Sequence, residues 1–320
     1  MVALQKISIF KLPHIFAKST IIVGLSGGPD SVYLLYVLKE AKEDLNLTLI
    51  AAHLDHEWRA SSKDDVAFCV SLCNEWKIPL IVKKGSDLQK SFTYNGSQEE
   101  VGRHMRRFFL ESLHAEYNAD YIALAHHQDD QLETFFINLI RGTSIAGLGG
   151  MKEIDGIYVR PFLRLSKQSI LNNLKTHNLT YQIDPTNNSN AYLRNKVRAT
   201  IIPALTTSDS RAAQNSIRAM ESLQEIESFL NTTTENALKN VLADQYSIDL
   251  KKLFVLETYL QKRIIRKWLS NYDPQIRSSQ AYIDEVMRFI KNKKGGKHTI
   301  FPSLILIKKQ RKITLVYNPA

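Results

Sequence analysis

The stretch Ile21-Ile22-Val23-Gly24-Leu25-Ser26-Gly27-Gly28-Pro29-Asp30-Ser31 limits what this chain can fold into more than any other. An apolar run ends in a glycine-rich turn, and Val32, Leu34, Leu35 and Leu38 then recur at helical spacing. That order predicts a strand, a tight turn and a helix start. Gly27 and Gly28 let the backbone approach a bulky anion. Pro29 suits a first helical position, where its missing N–H costs nothing. The free amides and the positive dipole end of the helix then face the turn and make an anion site. Asp30 lies in the same turn. Its carboxylate would repel a polyphosphate unless a divalent cation bridged the two, so the stretch predicts a phosphate site that also holds Mg²⁺ on Asp30. No Gly-Lys-Ser/Thr follows the glycines, which excludes a Walker A loop, and the dinucleotide G-x-G-x-x-G pattern is absent too. A glycine-rich strand-to-helix turn without a ligand is the plainer alternative.

Around this turn, strand and helix patterns alternate. Strands are expected at Leu45–Leu54, Ile78–Val82, Tyr121–Ala125 and Val159–Leu163, helices at Asp30–Lys42, Ser62–Trp76, Ser97–Tyr117, Asp129–Arg141 and Ser166–His177, and a polar loop at Gly85–Asn95. Ser97 with Glu100 three residues on is a capping-box pattern. Such alternation means an α/β fold, a parallel sheet with helices on both faces, whose ligands sit beyond the C-terminal strand ends. Leu193 to about Ile202 reads as a helix with a basic face, ending before Pro203. The alternation then stops. A mainly helical C-terminal domain with a small β element follows, its strands at Lys297–Ile300, Leu304–Ile307 and Lys312–Tyr317. The expected domains are 1–207 and 208–320.

Several clusters, most of them at a strand end or just after it, could carry chemistry. His53-Leu54-Asp55-His56-Glu57-Trp58-Arg59 closes the second strand, with His53 and Asp55 on one side of the backbone; simple surface termination of the strand is the alternative. Glu99-Glu100-Val101-Gly102-Arg103 lies on the long helix, followed by Arg106 and Arg107. These guanidiniums suit forked contacts to phosphate or RNA, and an ordinary ion-paired helix face is the plainer reading. His126-His127-Gln128-Asp129-Asp130-Gln131-Leu132-Glu133-Thr134 follows the fourth strand. Asp129 is expected as the N-cap. Asp130 and Glu133 share a helix face and could hold Mg²⁺, or grip a cationic amine and take its proton. A capped acidic helix start explains the run as well; a transition-metal site explains it less well, because neighbouring side chains on a strand end point apart. Arg141-Gly142-Thr143-Ser144 and Gly147 to Gly150 read as a flexible loop beside the site. Asp184-Pro185-Thr186-Asn187 and Arg194-Asn195-Lys196-Val197-Arg198 are compatible with turn and cap roles.

Charge separates the two halves. The chain carries +10, but residues 250–320 alone hold 16 Lys or Arg against 4 Asp or Glu. A basic part beside a nearly neutral one fits a polyanion-binding domain attached to a catalytic one, and a solvated basic face is the plainer alternative. Cys69 and Cys73, one helical turn apart, are the only cysteines. They exclude a disulfide framework and a closed zinc site, and a reduced pair on or near a buried face is expected. No apolar run reaches membrane-spanning length and Met1–Lys11 lacks a secretory core, so no membrane association and a cytoplasmic location are the default expectation.

Ser-Gly-Gly-x-Asp-Ser resembles the pyrophosphate loop of the ATP pyrophosphatase superfamily. Within it, residues 21 to about 205 resemble the tRNA(Ile)-lysidine synthetases. They share His-x-Asp-His-x-x-Arg, Glu-Glu-x-x-Arg, His-His-x-Asp-Asp-Gln-x-Glu-Thr, Arg-Gly-Thr, Arg160-Pro161-Phe162-Leu163, Asp-Pro-Thr-Asn and Arg-Asn-x-Val-Arg, in order. The departures are Glu57 where Gly is frequent, Gly102 where Ala is common and Ser144 where Gly is common. The part from about Ser208 matches weakly, and its length suggests a short form with one C-terminal domain.

The resemblance implies an adenine nucleotide hydrolase-like, Rossmann-like sheet. It also implies ligation of L-lysine to C2 of the wobble cytidine of a tRNA(Ile) with a CAU anticodon. ATP would first adenylate the base, releasing pyrophosphate, and the lysine ε-amine would then displace AMP. The implied ATP site is Ser26, Gly27, Gly28, Pro29, Asp30, Ser31 and His53, with Mg²⁺ on Asp30. Lysine would be held by Asp129, Asp130 and Glu133, with Asp30, Asp130, Glu133 and Arg103 acting in catalysis. Arg107, Arg194 and Arg198 would meet the tRNA. The sequence leaves a homodimer open. A tRNA thiolase of the same superfamily is a competing reading, disfavoured because Cys69 and Cys73 are expected away from the site. An ATP-binding regulatory module is the other, and it would need neither the acidic cluster nor the basic tail.

Overall fold

The computed structural model describes residues 16–58, 62–89, 97–183, 193–272, 280–292, 294–301 and 304–317. Arg59, Asp184–Asn187 and the whole segment before Phe16 lie outside them. The chain divides into two compact units, Met1–Leu223 and Gln224–Ala320. Among the described residues no helix is long and apolar enough to cross a membrane.

In the first unit β1 is Thr20–Gly24, and Ile21, Ile22 and Val23 are wholly buried. Ile21 and Val23 enter one core with Val32, Leu35, Leu38 and Ile170, while Ile22 enters another with Ile50, Met105 and Phe109. A strand with both sides buried belongs in a parallel sheet covered on both faces. The elements that follow are α1 Pro29–Leu45, β2 Thr48–Asp55, α2 Ser62–Glu75, β3 Leu80–Lys84, α3 Gly85–Gln89, α4 Gln98–Glu116, β4 Tyr121–Ala123 and α5 Gln128–Ile140. Then come α6 Ile145–Leu148, β5 Ile154–Asp155, β6 Tyr158–Val159 and α7 Lys167–Thr176. The sheet order is β3-β2-β1-β4-β6-β5, parallel except for the β5–β6 pair. β1 pairs with β2 on one side (Ile22↔Ile50) and with β4 on the other (Ile22↔Ile122). The strand order therefore reverses at β1–β4, and a crevice opens there at the C-terminal ends, where ligands of such sheets bind.

The expected capping box of the long helix is present, with the Glu100 amide bonded to Ser97 Oγ and the Ser97 amide to Glu100 Oε2. Three expectations need correction. The last strand is Tyr158–Val159, and Arg160–Leu163 turn away instead of extending it. The segment after Gly85, expected as loop, begins with a helical turn. Helix α8 Leu193–Lys196 does not stop before Pro203 but passes through a π turn, Val197–Ile201, into α9 Ile202–Ser208. The wider turn resets the hydrogen-bond ladder just ahead of the proline, which then stands near the start of a new helical segment, where its missing N–H is tolerated.

Helix α10, Ala212–Val241, contains the division between the units. The second unit adds β7 Leu242–Asp244, β8 Ser247–Asp249, α11 Leu250–Phe254, α12 Thr258–Ser270, α13 Gln280–Lys291, β9 Gly296–Phe301, β10 Leu304–Lys309 and β11 Lys312–Tyr317. Its antiparallel sheet, β7-β8-β11-β10-β9, is larger than the three expected strands. Trp268, Ile264, Ile283, Ile290, Leu306 and Ile313 form its core. The buried Lys308 donates to the carbonyls of Ile290 and Asn292, which places a cation at the C-terminal end of α13.

Candidate active site

The turn after β1 is built from its own side chains. Gly27 has φ +82°, a left-handed conformation that suits glycine, and a Cβ there would stand 3.3 Å from Cys69 Sγ. Ser31 Oγ donates to the Gly28 carbonyl (3.0 Å) and accepts from the Ser26 amide (3.1 Å). Gly28 is the N-cap of α1 and Pro29 follows it, so the next amides, of Asp30 and Ser31, have no carbonyl partner within the helix. Behind the turn, His53 Nδ1 lies 2.9 Å from the Leu25 carbonyl and 3.5 Å from Cys69 Sγ. The carbonyl can only accept, so Nδ1 carries the proton, and burial pulls the imidazole pKa down. Cys69 is thus against the phosphate turn, not away from it as expected. Burial pushes its thiol up to about 12 and that of Cys73 to about 11, which disfavours the reactive thiolate.

Asp30 projects from the first turn of α1 into the β1–β4 crevice. Lys167 Nζ donates to both of its carboxylate oxygens, at 2.6 and 2.7 Å. The loop after β4 arrives from the other side. His127 is the N-cap of α5, and Asp130 Oδ2 accepts from the His127 amide at 2.9 Å. His127 Nε2 lies 3.7 Å from Asp30 Oδ1 and 3.5 Å from Asp130 Oδ2, so one ring links the two turns. The expected N-cap, Asp129, is instead the second residue of the helix; its Oδ1 accepts the Lys167 amide at 3.1 Å and ties α7 to α5. Burial works to raise the Asp130 carboxyl, but the neighbouring imidazoles of His127 and His126, the His127 amide and the Arg194 guanidinium outweigh it and hold it below the usual range. Burial pushes His126 down to about 4.

Glu133, one turn further along α5, is fully buried. Arg194 Nε donates to its Oε2 and Arg198 Nε to its Oε1, each at 2.6 Å, while Arg194 Nη2 reaches Asp130 Oδ1 at 3.2 Å. These two arginines, expected at the tRNA, are held on the acidic pair, because their i, i+4 spacing across the π turn presents both to one carboxylate. Gln131 explains its place in the run: its amide nitrogen donates to the Met151 carbonyl and its oxygen accepts the Met151 amide, both at 2.7 Å. The loop expected to be flexible is therefore clamped to α5 and contains α6. Gly150 fits under the clamp at φ +70°, where a Cβ would meet Met220 Cε at 2.3 Å.

On α4, Arg107 pairs with Glu111 (2.8 Å) and lies over the Tyr158 ring, while Arg103 is exposed. The structure thus brings Asp30, His127, Asp129, Asp130, Glu133, Arg194 and Arg198 together at the switch point and leaves Arg107 in a separate ion pair. Lys167 is the residue that sequence reading missed. Its one local signal was a basic residue directly after the N-cap Ser166.

The sequence matches the PP-loop domain family over residues 3–205. It is 30% identical over 312 residues to a tRNA(Ile)-lysidine synthase of Bacillus cereus, which covers 93% of this chain and 66% of that one. It is 37% identical over 255 residues to a tRNA(Ile)-lysidine synthase of Clostridium perfringens, covering 78% of this chain and 54% of that one. The chain thus spans slightly under two thirds of the first relative and about half of the second. Among solved structures, the U34-tRNA thiolase NcsA from Methanococcus maripaludis superposes with a TM-score of 0.60 over 70% of this chain and 77% of that one, at 22% identity, a likeness of fold. The glycine turn, its position at the β1–β4 switch and the match over residues 3–205 agree: the chain belongs to the PP-loop domain family.

Proposed function

We propose that this protein ligates L-lysine to C2 of the wobble cytidine of a tRNA(Ile) with a CAU anticodon, at the expense of ATP. The observation that carries the reading is the acidic pair Asp130–Glu133, linked through His127 to Asp30 in the phosphate turn. A nucleotide site needs no second, buried carboxylate pair, whereas a reaction between an activated base and a cationic amine does. Two arginines already pair with it, which supports a site suited to cations. The identity to the two lysidine synthases supports the same choice.

In this reading the turn amides and the α1 dipole hold the outer phosphates of ATP. The C2 oxygen of the cytidine attacks the α-phosphorus and pyrophosphate leaves with the electron pair of the broken P–O bond. Lysine next enters as an ammonium, shares Asp130 and Glu133 with the arginines, and gives up its proton to a carboxylate. The free amine adds to C2, and AMP departs with the C2 oxygen. Asp30 suits a hard cation, since its two oxygens already accept an ammonium. Among the described residues no group of three or more His, Cys, Asp or Glu side chains could hold a metal ion, so the nucleotide's phosphates would complete the coordination. Mg²⁺ held there would neutralise the charge of the leaving pyrophosphate.

The test supplies radiolabelled lysine, ATP, Mg²⁺ and a tRNA(Ile) transcript with a CAU anticodon, and counts acid-precipitable label. Label that requires both ATP and this tRNA, and falls at least a hundredfold in Asp130→Asn, is the expected result. ATP binding without any label would overturn the reaction.

A further inference from the structure

Trp268 is buried, but Trp58, just past the end of β2, is 48% exposed. Its indole stacks on the His56 ring with centroids 4.4 Å apart and planes 22° from parallel. Beneath it lies Gly102 of α4, where a Cβ would stand 2.3 Å from Trp58 Cη2 and 3.3 Å from His56 Cε1. The glycine that departs from the common alanine therefore makes room for the ring. One turn along α4, Arg106 Nη2 sits 3.3 Å from His56 Nε2. Burial and the charge of Arg106 push His56 down to about 4, so the stack is neutral at physiological pH.

The loop carrying the indole is fixed. Glu57 has φ +56°, a left-handed conformation that non-glycine residues rarely adopt. Here the conformation is held by side chains: the Glu57 amide donates to Asp55 Oδ1 (2.8 Å), and the Ser86 amide donates to Glu57 Oε2 (3.0 Å). That contact occupies the Glu57 carboxylate, and the exposed Arg106 stands beside the His56 half of the stack. An exposed tryptophan with a guanidinium beside it matches the face and the backbone of a single-stranded nucleotide.

The location separates two sources of such a base. Gly27 and His53 meet Cys69 of α2, in the core under α1, whereas Trp58 lies on α4, which covers the opposite face of the sheet. The indole is thus across the sheet end from the phosphate turn. We propose that Trp58, stacked on His56 over Gly102, is a platform for an unpaired nucleobase of the RNA substrate, with Arg106 for its phosphate. The proposal rests on the reading that the substrate is RNA.

A fluorescein-labelled anticodon stem-loop with a CAU anticodon tests it by anisotropy, with ATP affinity measured separately. Trp58→Ala weakens RNA binding about tenfold, the worth of one stacked base, and Trp58→Phe keeps most of it. Gly102→Ala weakens it too, with the tryptophan still present, because the added methyl displaces the ring. ATP affinity stays unchanged in all three, and melting temperatures report intact folding. Wild-type RNA affinity in Trp58→Ala would overturn the platform, and a loss confined to ATP would assign the ring to adenine instead. No RNA binding by the unaltered protein would overturn the RNA reading itself, and the platform with it.

Discussion

Lys167 donates from its ammonium to both carboxylate oxygens of Asp30, 137 positions earlier in the chain, at 2.6 and 2.7 Å. The phosphate turn therefore carries its own counter-ion. Without it, a carboxylate would face an incoming polyphosphate unshielded. Lys167→Met should weaken ATP binding in the presence of EDTA about fivefold, a modest figure because both partners are partly open to solvent. Calorimetric titration of both proteins with ATP in EDTA checks this. Equal affinities would show that the pair does not serve the nucleotide.

Glu133→Gln should cost stability as well as activity. The side chain is 1% exposed and balances two guanidiniums, which are 27% and 47% exposed. Halving that neutralisation leaves Arg194 and Arg198 facing each other across a neutral amide. A loss of about 1–2 kcal/mol is expected, below the figure for a fully buried pair because water reaches both arginines. Urea unfolding measures it. An unchanged midpoint would mean that the arginines move out to solvent freely.

The phosphate turn was legible because its conformation is local: consecutive residues dictate the strand, the left-handed Gly27 and the proline-started helix. The sheet was legible through buried alternation, Ile21 and Val23 against Ile22. Contacts made by folding were not. Nothing near Lys167 in the chain points to Asp30, and nothing near Arg194 says that it turns inward to Glu133. Cys69 was expected on a helix away from the site, but its sulfur lies against Gly27. Glu57 and Gly102 read as separate departures, and only the structure shows that both frame Trp58.

Acid should destabilise the first unit through histidines that stay neutral in the fold. His56 and His126 titrate near 4 when folded, against an ordinary 6.5. Between those values the unfolded chain binds protons that the folded one refuses. Stability therefore falls as pH drops from about 6.5 to about 4 and levels off on either side. His56→Gln should recover about 1 kcal/mol of the loss between pH 7 and pH 5, discounted for its partly open ring. Urea midpoints at the two pH values check the difference; parallel losses in both proteins would exclude His56 as a source.

Cys69 and Cys73 distinguish amine ligation from sulfur transfer. A sulfur-transferring enzyme needs a thiolate or a cluster ligand, and both require an accessible, readily ionised sulfur. Here burial pushes the two thiols up to about 12 and about 11, and both side chains are enclosed in the core under α1. Changing both to alanine should therefore leave lysine incorporation within about threefold of the unaltered protein, while the lost packing lowers stability by about 1–3 kcal/mol. The labelled-lysine assay, run well below the melting temperature, separates the two effects. Activity lost in the double variant at full folding would give the sulfurs a chemical role and reopen the thiolase reading.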